Sequence, residues 1–129
     1  MQDGRVIVIV PVKRAADGTP VLGLPKGHLD GDETAEQAAQ REVAEEAGVQ
    51  TDLIEELGDV HYHYERKGRP IAKRVRFFLF NYRSGDVADH DHEIEDARWM
   101  TLEEAARELT YPGERDMVVR AMSRIAPDR

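Results

Sequence analysis

Residues 27–49 read Gly-His-Leu-Asp-Gly-Asp-Glu-Thr-Ala-Glu-Gln-Ala-Ala-Gln-Arg-Glu-Val-Ala-Glu-Glu-Ala-Gly-Val. From 34 to 47 the stretch is rich in Ala, Glu and Gln and holds no Gly or Pro, which predicts a helix. Thr34 fits the N-cap with Gln37 at N3, a capping box, and Gly48 stands where a left-handed C-cap belongs. At about 100° per residue, Glu42, Glu45 and Glu46 fall within an arc of roughly 100°. That arc overlaps the side carrying Ala35, Ala38, Ala39 and Val43, which should face the core. Three carboxylates at a core-facing edge repel one another and resist losing water. A bound divalent cation would remove both penalties. The plainer alternative is a solvated acidic helix edge, and the position on the wheel counts against it.

The surrounding spacing is regular. Gly27 is followed after five residues by Glu33, and after seven more by Arg41-Glu42. An apolar Val43, one residue, Glu45-Glu46, one residue, Gly48 and the apolar Val49 complete it. This pattern resembles the box that defines the Nudix hydrolase family, the MutT-like enzymes. The resemblance implies a single domain over residues 1–129 with the box at 27–49. It also implies an α/β (α+β) fold, a Nudix-type α/β/α sandwich with the box helix against a mixed β-sheet.

It implies a chemistry as well. Family members are typically pyrophosphohydrolases that cleave a nucleoside diphosphate linked to another group. Mg2+ or Mn2+ neutralises the diphosphate and acidifies a bound water. Such hard cations prefer oxygen donors, which Glu42, Glu45 and Glu46 offer on adjacent turns. Glu45 and Glu46 are the firmest metal ligands. Glu42 either binds a second metal or takes the proton from water, and the Gly27 carbonyl joins the metal shell by resemblance. Some members take their base from a later loop, so Glu93 and Glu95 are rivals for that role. By analogy Glu33 and Arg41 form an ion pair that ties the box loop to its helix, and Gly48 lets the helix end. These three are structural members of the box.

Lys26 precedes the box in Leu24-Pro25-Lys26-Gly27-His28. This stretch is similar to one in the diadenosine polyphosphate and diphosphoinositol polyphosphate hydrolases of the family, where a lysine suits a distal phosphate. The aromatic residue often found just before it is absent, since Leu22, Gly23 and Leu24 stand there. Some diadenosine tetraphosphate hydrolases carry a tyrosine about seventeen residues past the box. Tyr64 lies fifteen past Val49.

The 129 residues suit one compact domain with a real core. There is no cysteine, hence no disulfide framework and no thiolate metal site. No apolar run approaches membrane-spanning length, and residues 6–12 lack the flanks of a signal peptide. A cytoplasmic protein is the expectation. The formal net charge of −8 argues against nucleic acid as the main partner. Yet Arg66, Lys67, Arg69, Lys73, Arg74 and Arg76 put six basic residues into eleven positions, and residues 86–96 then hold six acidic ones. A carboxylate cluster beside a basic patch suits a small phosphorylated metabolite held by metal and cations together.

Strands are expected at 6–13, 21–24, 60–66, 71–82 and 97–100, and helices at 34–47, 101–109 and 114–125. Lys67-Gly68 reads as a hairpin turn, and Thr101 caps the second helix with Glu104 at N3. On the strand at 71–82, Lys73 and Arg74 point to opposite faces, so one of them should face the cleft. Tyr62 and Tyr64 share a face that suits either base stacking or strand packing. The leading function is metal-dependent hydrolysis of nucleoside polyphosphates, dinucleoside polyphosphates foremost. The substrate contacts would be Lys26, Lys73, Arg74 and Tyr64. A house-cleaning hydrolase of (d)NTPs or oxidised nucleotides is the second reading. A non-catalytic Nudix-fold binding module is the third, disfavoured because every box glutamate is present. A homodimer is compatible with the sequence.

Overall fold

The computed structural model describes residues 4–15, 17–26 and 33–124. Strand β1 spans Arg5–Pro11, helix α1 Ala35–Ala47, β2 Val49–Arg66 and β3 Arg69–Gly85. A single 3-10 turn at Val87–Asp89 leads to β4 at Ile94–Thr101, α2 at Leu102–Glu108 and α3 at Pro112–Arg124. None of the helices among the described residues is long and apolar enough to cross a membrane.

Both strand pairs are antiparallel: β1 with β4, and β2 with β3. Alternation along β1 sends its side chains to two different layers. Val8 packs with Val75, Phe77 and Leu79 of β3 and with Leu102, Ala105, Met117 and Val118 of α2 and α3. Its neighbour Ile7 packs with Ala47 and Val49 at the end of α1, beside Trp99. The result is helix, strands, helices in three layers. The expected mixed sheet takes the form of two antiparallel pairs among the described residues. Where β1 and β3 face each other, a cavity of about 590 Å³ lies between them. Val6, Ile7, Val75 and Phe77 line it, with Ala38 and Val43 on the α1 side and Met117 and Val118 on the α3 side.

The helix ends follow local chemistry. The Thr34 side chain accepts from the Gln37 N–H, the Gln37 side chain accepts from the Thr34 N–H, and Gly48 closes α1 at φ 73°. Thr101 and Glu104 form the same reciprocal cap on α2. Helix α3 begins at Pro112, two residues before its expected start, because proline is well suited to a first helical position. The apolar residue expected at its far end, Ile125, lies outside the described residues.

Two expected strands differ. β2 begins at Val49 rather than at residue 60. Its register against β3 shifts at Gln50/Thr51, Leu53/Glu55 and Glu56/Gly58. Each bulge resets the inside–outside alternation, so the period-2 signal vanishes from a segment that is nonetheless paired. At the last bulge, a side chain on Gly58 (φ 139°) would collide with the Arg120 guanidinium. That guanidinium donates to the Leu57 carbonyl at 2.8 Å and anchors α3 to the strand.

Residues 21–24, expected as a strand, make only one bridge. Ile9 and Gly23 exchange both backbone hydrogen bonds, at 2.8 and 2.9 Å. The flanking amides go to side chains instead: Leu22 N–H to Thr110 Oγ1 at 2.8 Å and Leu24 N–H to Glu114 Oε1 at 2.8 Å. The segment is therefore a link suspended between β1 and the α2–α3 corner. It delivers Lys26 to the start of the box.

Candidate active site

Helix α1 presents its carboxylates in three different environments. Glu46 is partly buried. Its Oε1 accepts the Lys26 backbone N–H at 2.9 Å. Burial pushes its carboxyl up to about 7, with Glu42 and Asp91 adding to the rise, while the Lys26 N–H and ammonium act against it. Glu42, one turn earlier on the same face, has a side chain only 15% exposed. Glu45 is half exposed and turns toward Arg41, whose Nη1 lies 3.0 Å from its Oε1.

Arg41 organises this edge. Its Nε and Nη2 donate to the two oxygens of Glu33 at 2.7 and 3.1 Å, a two-pronged pair that joins the end of the box loop to the helix. The expected Glu33–Arg41 pair is therefore present. The same guanidinium also reaches Glu42 at 3.4 Å as well as Glu45, which the box spacing alone does not reveal. Gly48 sits at the foot of the helix, where a side chain would press on the Asp86 carbonyl at 2.6 Å and on Asp89. Its role is close packing as much as backbone freedom.

The later acidic loop meets α1 through Asp91. The Asp91 N–H donates to the Glu45 carbonyl at 3.0 Å, and its charge acts on Glu46. Glu93 is exposed and donates its own N–H to Asp91 Oδ1 at 3.1 Å, while Glu95 pairs with Arg14 at 3.1 Å on the surface. Of the acidic loop residues, Asp86 and Asp89 pack against Gly48 at the foot of the helix, and Asp91, a residue that sequence reasoning passed over, is the one whose charge acts on Glu46. The His90 ring nitrogen Nδ1 lies 3.0 Å from the neighbouring Asp91 carbonyl. Among the described residues no group of three or more His, Asp or Glu side chains is already gathered as a cation cage. Gly27, the expected carbonyl ligand, lies outside the described residues. The donor set still fits a hard cation. Glu42 and Glu46 offer oxygen from one helix face, and the burial that raises the Glu46 carboxyl is the penalty a cation removes.

On the opposite wall stand the cations. Lys73 is the member of its pair that turns inward. Its ammonium is pushed below the usual lysine range by burial, then by Lys26 and Lys13, while Glu42 and Glu46 oppose the shift. Arg74 points the other way, is largely exposed, and lies 3.7 Å from Asp59. Tyr64 is 46% exposed, farther out on the β2–β3 hairpin. The tyrosine drawn into the interior is Tyr62, paired in register with Lys73.

Residues 1–121 match the NUDIX domain. The chain belongs to the Nudix hydrolase family. MutT4 of Mycobacterium tuberculosis is 38% identical over 98 residues, which cover 76% of this chain and 40% of that protein. The asymmetrical bis(5'-nucleosyl)-tetraphosphatase of Caenorhabditis elegans is 36% identical over 89 residues, covering 67% of this chain and 63% of that one. This chain thus spans less than two thirds of either relative. A NUDIX hydrolase structure from Nitrosomonas europaea superposes with a TM-score of 0.75 at 23% identity, covering 95% of this chain and 82% of that one, a likeness of fold.

Beside the Nudix box the link residue Lys26 is tied down. Its Nζ is 2.9 Å from Glu114 Oε2 and 3.2 Å from the Leu24 carbonyl, and 5.9 Å from the ring centres of both Tyr62 and Tyr111. Tyr62 donates its hydroxyl to Glu114 Oε2 at 2.6 Å and meets Tyr111 edge-on at 5.4 Å. Burial, and then the Glu114 charge, hold the Tyr62 phenol well above its ordinary value. Glu114 and Tyr111 carry no sequence signal beyond a carboxylate in the first turn of a helix and an aromatic just before it.

Proposed function

We propose that this Nudix domain hydrolyses a phosphoanhydride bond of nucleoside polyphosphates, with dinucleoside polyphosphates as the preferred class. The observation that carries the reading is the pairing of opposite walls. Glu42 and Glu46 stand on one side, and Lys73 with Lys26 on the other, close enough for each set to bear on the other's protonation. A polyphosphate bridged to carboxylates by cations and contacted directly by lysines needs that arrangement. The name of the Caenorhabditis elegans relative, a tetraphosphatase of bis-nucleosyl compounds, supports the substrate class.

Glu46 and Glu42, with Glu45 and the Gly27 carbonyl, are the residues to hold Mg2+ or Mn2+. When bound, that ion supplies charge neutralisation of the phosphates and lowers the pKa of a water. Glu42 is the residue to accept the proton of the attacking water, and Asp91, whose charge acts on Glu46, replaces Glu93 as its rival from the later loop. The water oxygen bonds to phosphorus as the bridging P–O bond breaks, and the two products leave as phosphates. Arg41 keeps Glu42 and Glu45 oriented while it braces Glu33. Lys73 neutralises charge on the phosphate chain, Lys26 reaches the group beyond it, and Arg74 and Tyr64 are left for parts of the substrate outside the cleft.

The test is a magnesium-dependent phosphate-release screen over dinucleoside polyphosphates, NTPs, ADP-ribose and diphosphoinositol polyphosphates, with a coupling phosphatase where needed. Turnover fastest on the dinucleoside class supports the reading. Turnover confined to single (d)NTPs replaces it with the house-cleaning reading. No turnover on any class, with nucleotide binding intact, points to a binding module.

A further inference from the structure

Glu114 lies outside the Nudix box, on the first turn of α3, and its side chain is completely buried. A carboxylate without water is costly unless donors replace it. Three do so here: the Leu24 N–H at 2.8 Å on Oε1, and the Tyr62 hydroxyl at 2.6 Å and Lys26 Nζ at 2.9 Å on Oε2. The partners are not scattered. Leu24, Pro25 and Lys26 form the link into the box, and Pro25 has no N–H to give. The two N–H groups of that link are accepted by two carboxylates from opposite layers, Glu114 on α3 and Glu46 on α1. Gly23 completes the seat. A side chain there would begin 3.3 Å from both Glu114 Oε1 and Lys26 Nζ, so the carboxylate and the ammonium close over a glycine.

We propose that Glu114 is a positioning residue for the hydrolysis. It holds the Lys26 ammonium and the 24–26 link so that a phosphate beyond the scissile pair meets a cation already in place. The proposal rests on the reading that Lys26 contacts substrate phosphate. Its sign sets it apart from a plain charge effect. Removing a negative charge from beside an anion site should by itself tighten anion binding. Removing a brace should loosen it, because Lys26 must then be ordered at each binding event.

The experiment measures kcat and KM for diadenosine tetraphosphate, with ADP-ribose as the short reference. The variants are Glu114→Gln, Glu114→Asp, Lys26→Ala and the double change Glu114→Gln with Lys26→Ala, each checked for folding by near-UV circular dichroism. Positioning predicts that Glu114→Gln raises KM for the tetraphosphate about tenfold, the scale of one charge-assisted contact, with little change in kcat. In the Lys26→Ala background the same change should have almost no further effect. Glu114→Asp keeps the charge but is too short to span the Leu24 N–H and Lys26 Nζ together, so it should resemble Glu114→Gln, and it serves if the glutamine variant does not fold. A KM that is unchanged or lower in Glu114→Gln overturns the proposal, as does a wild-type KM in Glu114→Asp. So does a Glu114→Gln effect that persists undiminished without Lys26, which would mark a merely structural role. If Lys26→Ala itself leaves KM unchanged, the phosphate-contact reading fails first and the proposal falls with it.

Discussion

Two carboxylates mark the ends of the link at residues 24–26, and they are treated in opposite ways. Glu114 is fully buried and receives three donors, one of them an ammonium. Glu46 is less deeply buried, yet among the described residues it accepts a single backbone N–H and faces Glu42 and Asp91. Burial is therefore not what separates a structural carboxylate from one ready for a ligand. The difference is how many donors the fold supplies. A carboxylate with its lone pairs satisfied braces the chain. One left short of donors among other carboxylates is an unfilled demand for positive charge, and a divalent cation meets that demand better than a proton does.

The largest expected effect tests the unsatisfied end. Glu46→Gln should lower kcat/KM by two orders of magnitude or more, roughly the scale seen when a charged group essential to a transition state is removed. The metal-free protein should respond in the other direction. Glu46 is protonated up to about 7 in the fold, against 4.5 for an ordinary glutamate. Between those values the folded state binds more protons than the unfolded one, so stability falls as pH rises through the window. The penalty is complete above pH 7. Glu46→Gln removes it while keeping an oxygen for the Lys26 N–H. The variant's advantage should therefore grow from pH 4.5 through 7 and level off above it at roughly 3 kcal/mol, at 1.36 kcal/mol per pKa unit. Thermal melts across that range, with EDTA, check this. A wild type that stays as stable as the variant at pH 8 would place Glu46 with Glu114 among the satisfied carboxylates.

Arg41→Ala probes the brace within the box. The change removes a two-pronged pair to Glu33 and contacts to Glu42 and Glu45, with about a quarter of the Arg41 side chain exposed. A loss of about 1–3 kcal/mol in stability is expected, the scale for partly buried hydrogen-bonded charges, together with a fall in kcat as two box glutamates lose their tether. Denaturant titration and steady-state kinetics measure the two losses. A melt equal to wild type would reduce Arg41 to a surface partner.

These two regions also divide what could be read from the chain alone. The α1 face was legible because it is local. Thr34, Gln37 and Gly48 fix the helix ends by rules that span a few residues, and the helical period then places Glu42 and Glu46 on one side. The β2–β3 hairpin and the N-cap of α2 followed from similarly local signals, whereas the pairing of β1 with β4 joins distant parts of the chain and had no such signal. The Glu114 cluster joins residues 24–26, 62, 111 and 114, and no local rule connects them. The first eleven residues of β2 were hidden for another reason, since three bulges scramble the alternation by which a strand is recognised. Asp91 did not stand beside Glu93 and Glu95 as a sequence candidate, because the turn that presents it to α1 depends on where Glu45 offers its carbonyl.

The smallest expected effects come from the strand that faces both regions. Period 2 put Lys73 and Arg74 on opposite sides, and the fold turns Lys73 toward Glu42, Glu46 and Lys26 while Arg74 looks outward to Asp59. Lys73→Ala should raise KM for a tetraphosphate by about tenfold, as expected for one partly desolvated charge-assisted contact. Arg74→Ala should change it by less than about threefold, since exposed pairs are worth roughly 0–1 kcal/mol. Salt should weaken the wild-type advantage over Lys73→Ala only slightly, because a cation within the cleft is less screened than one on the surface. The quantity to compare is KM for each variant at low and moderate ionic strength. Equal effects at the two positions would mean that the substrate lies along the hairpin's outer face, where Arg74 and Tyr64 stand, and the opposition of lysines and box glutamates would then bear on the free protein alone.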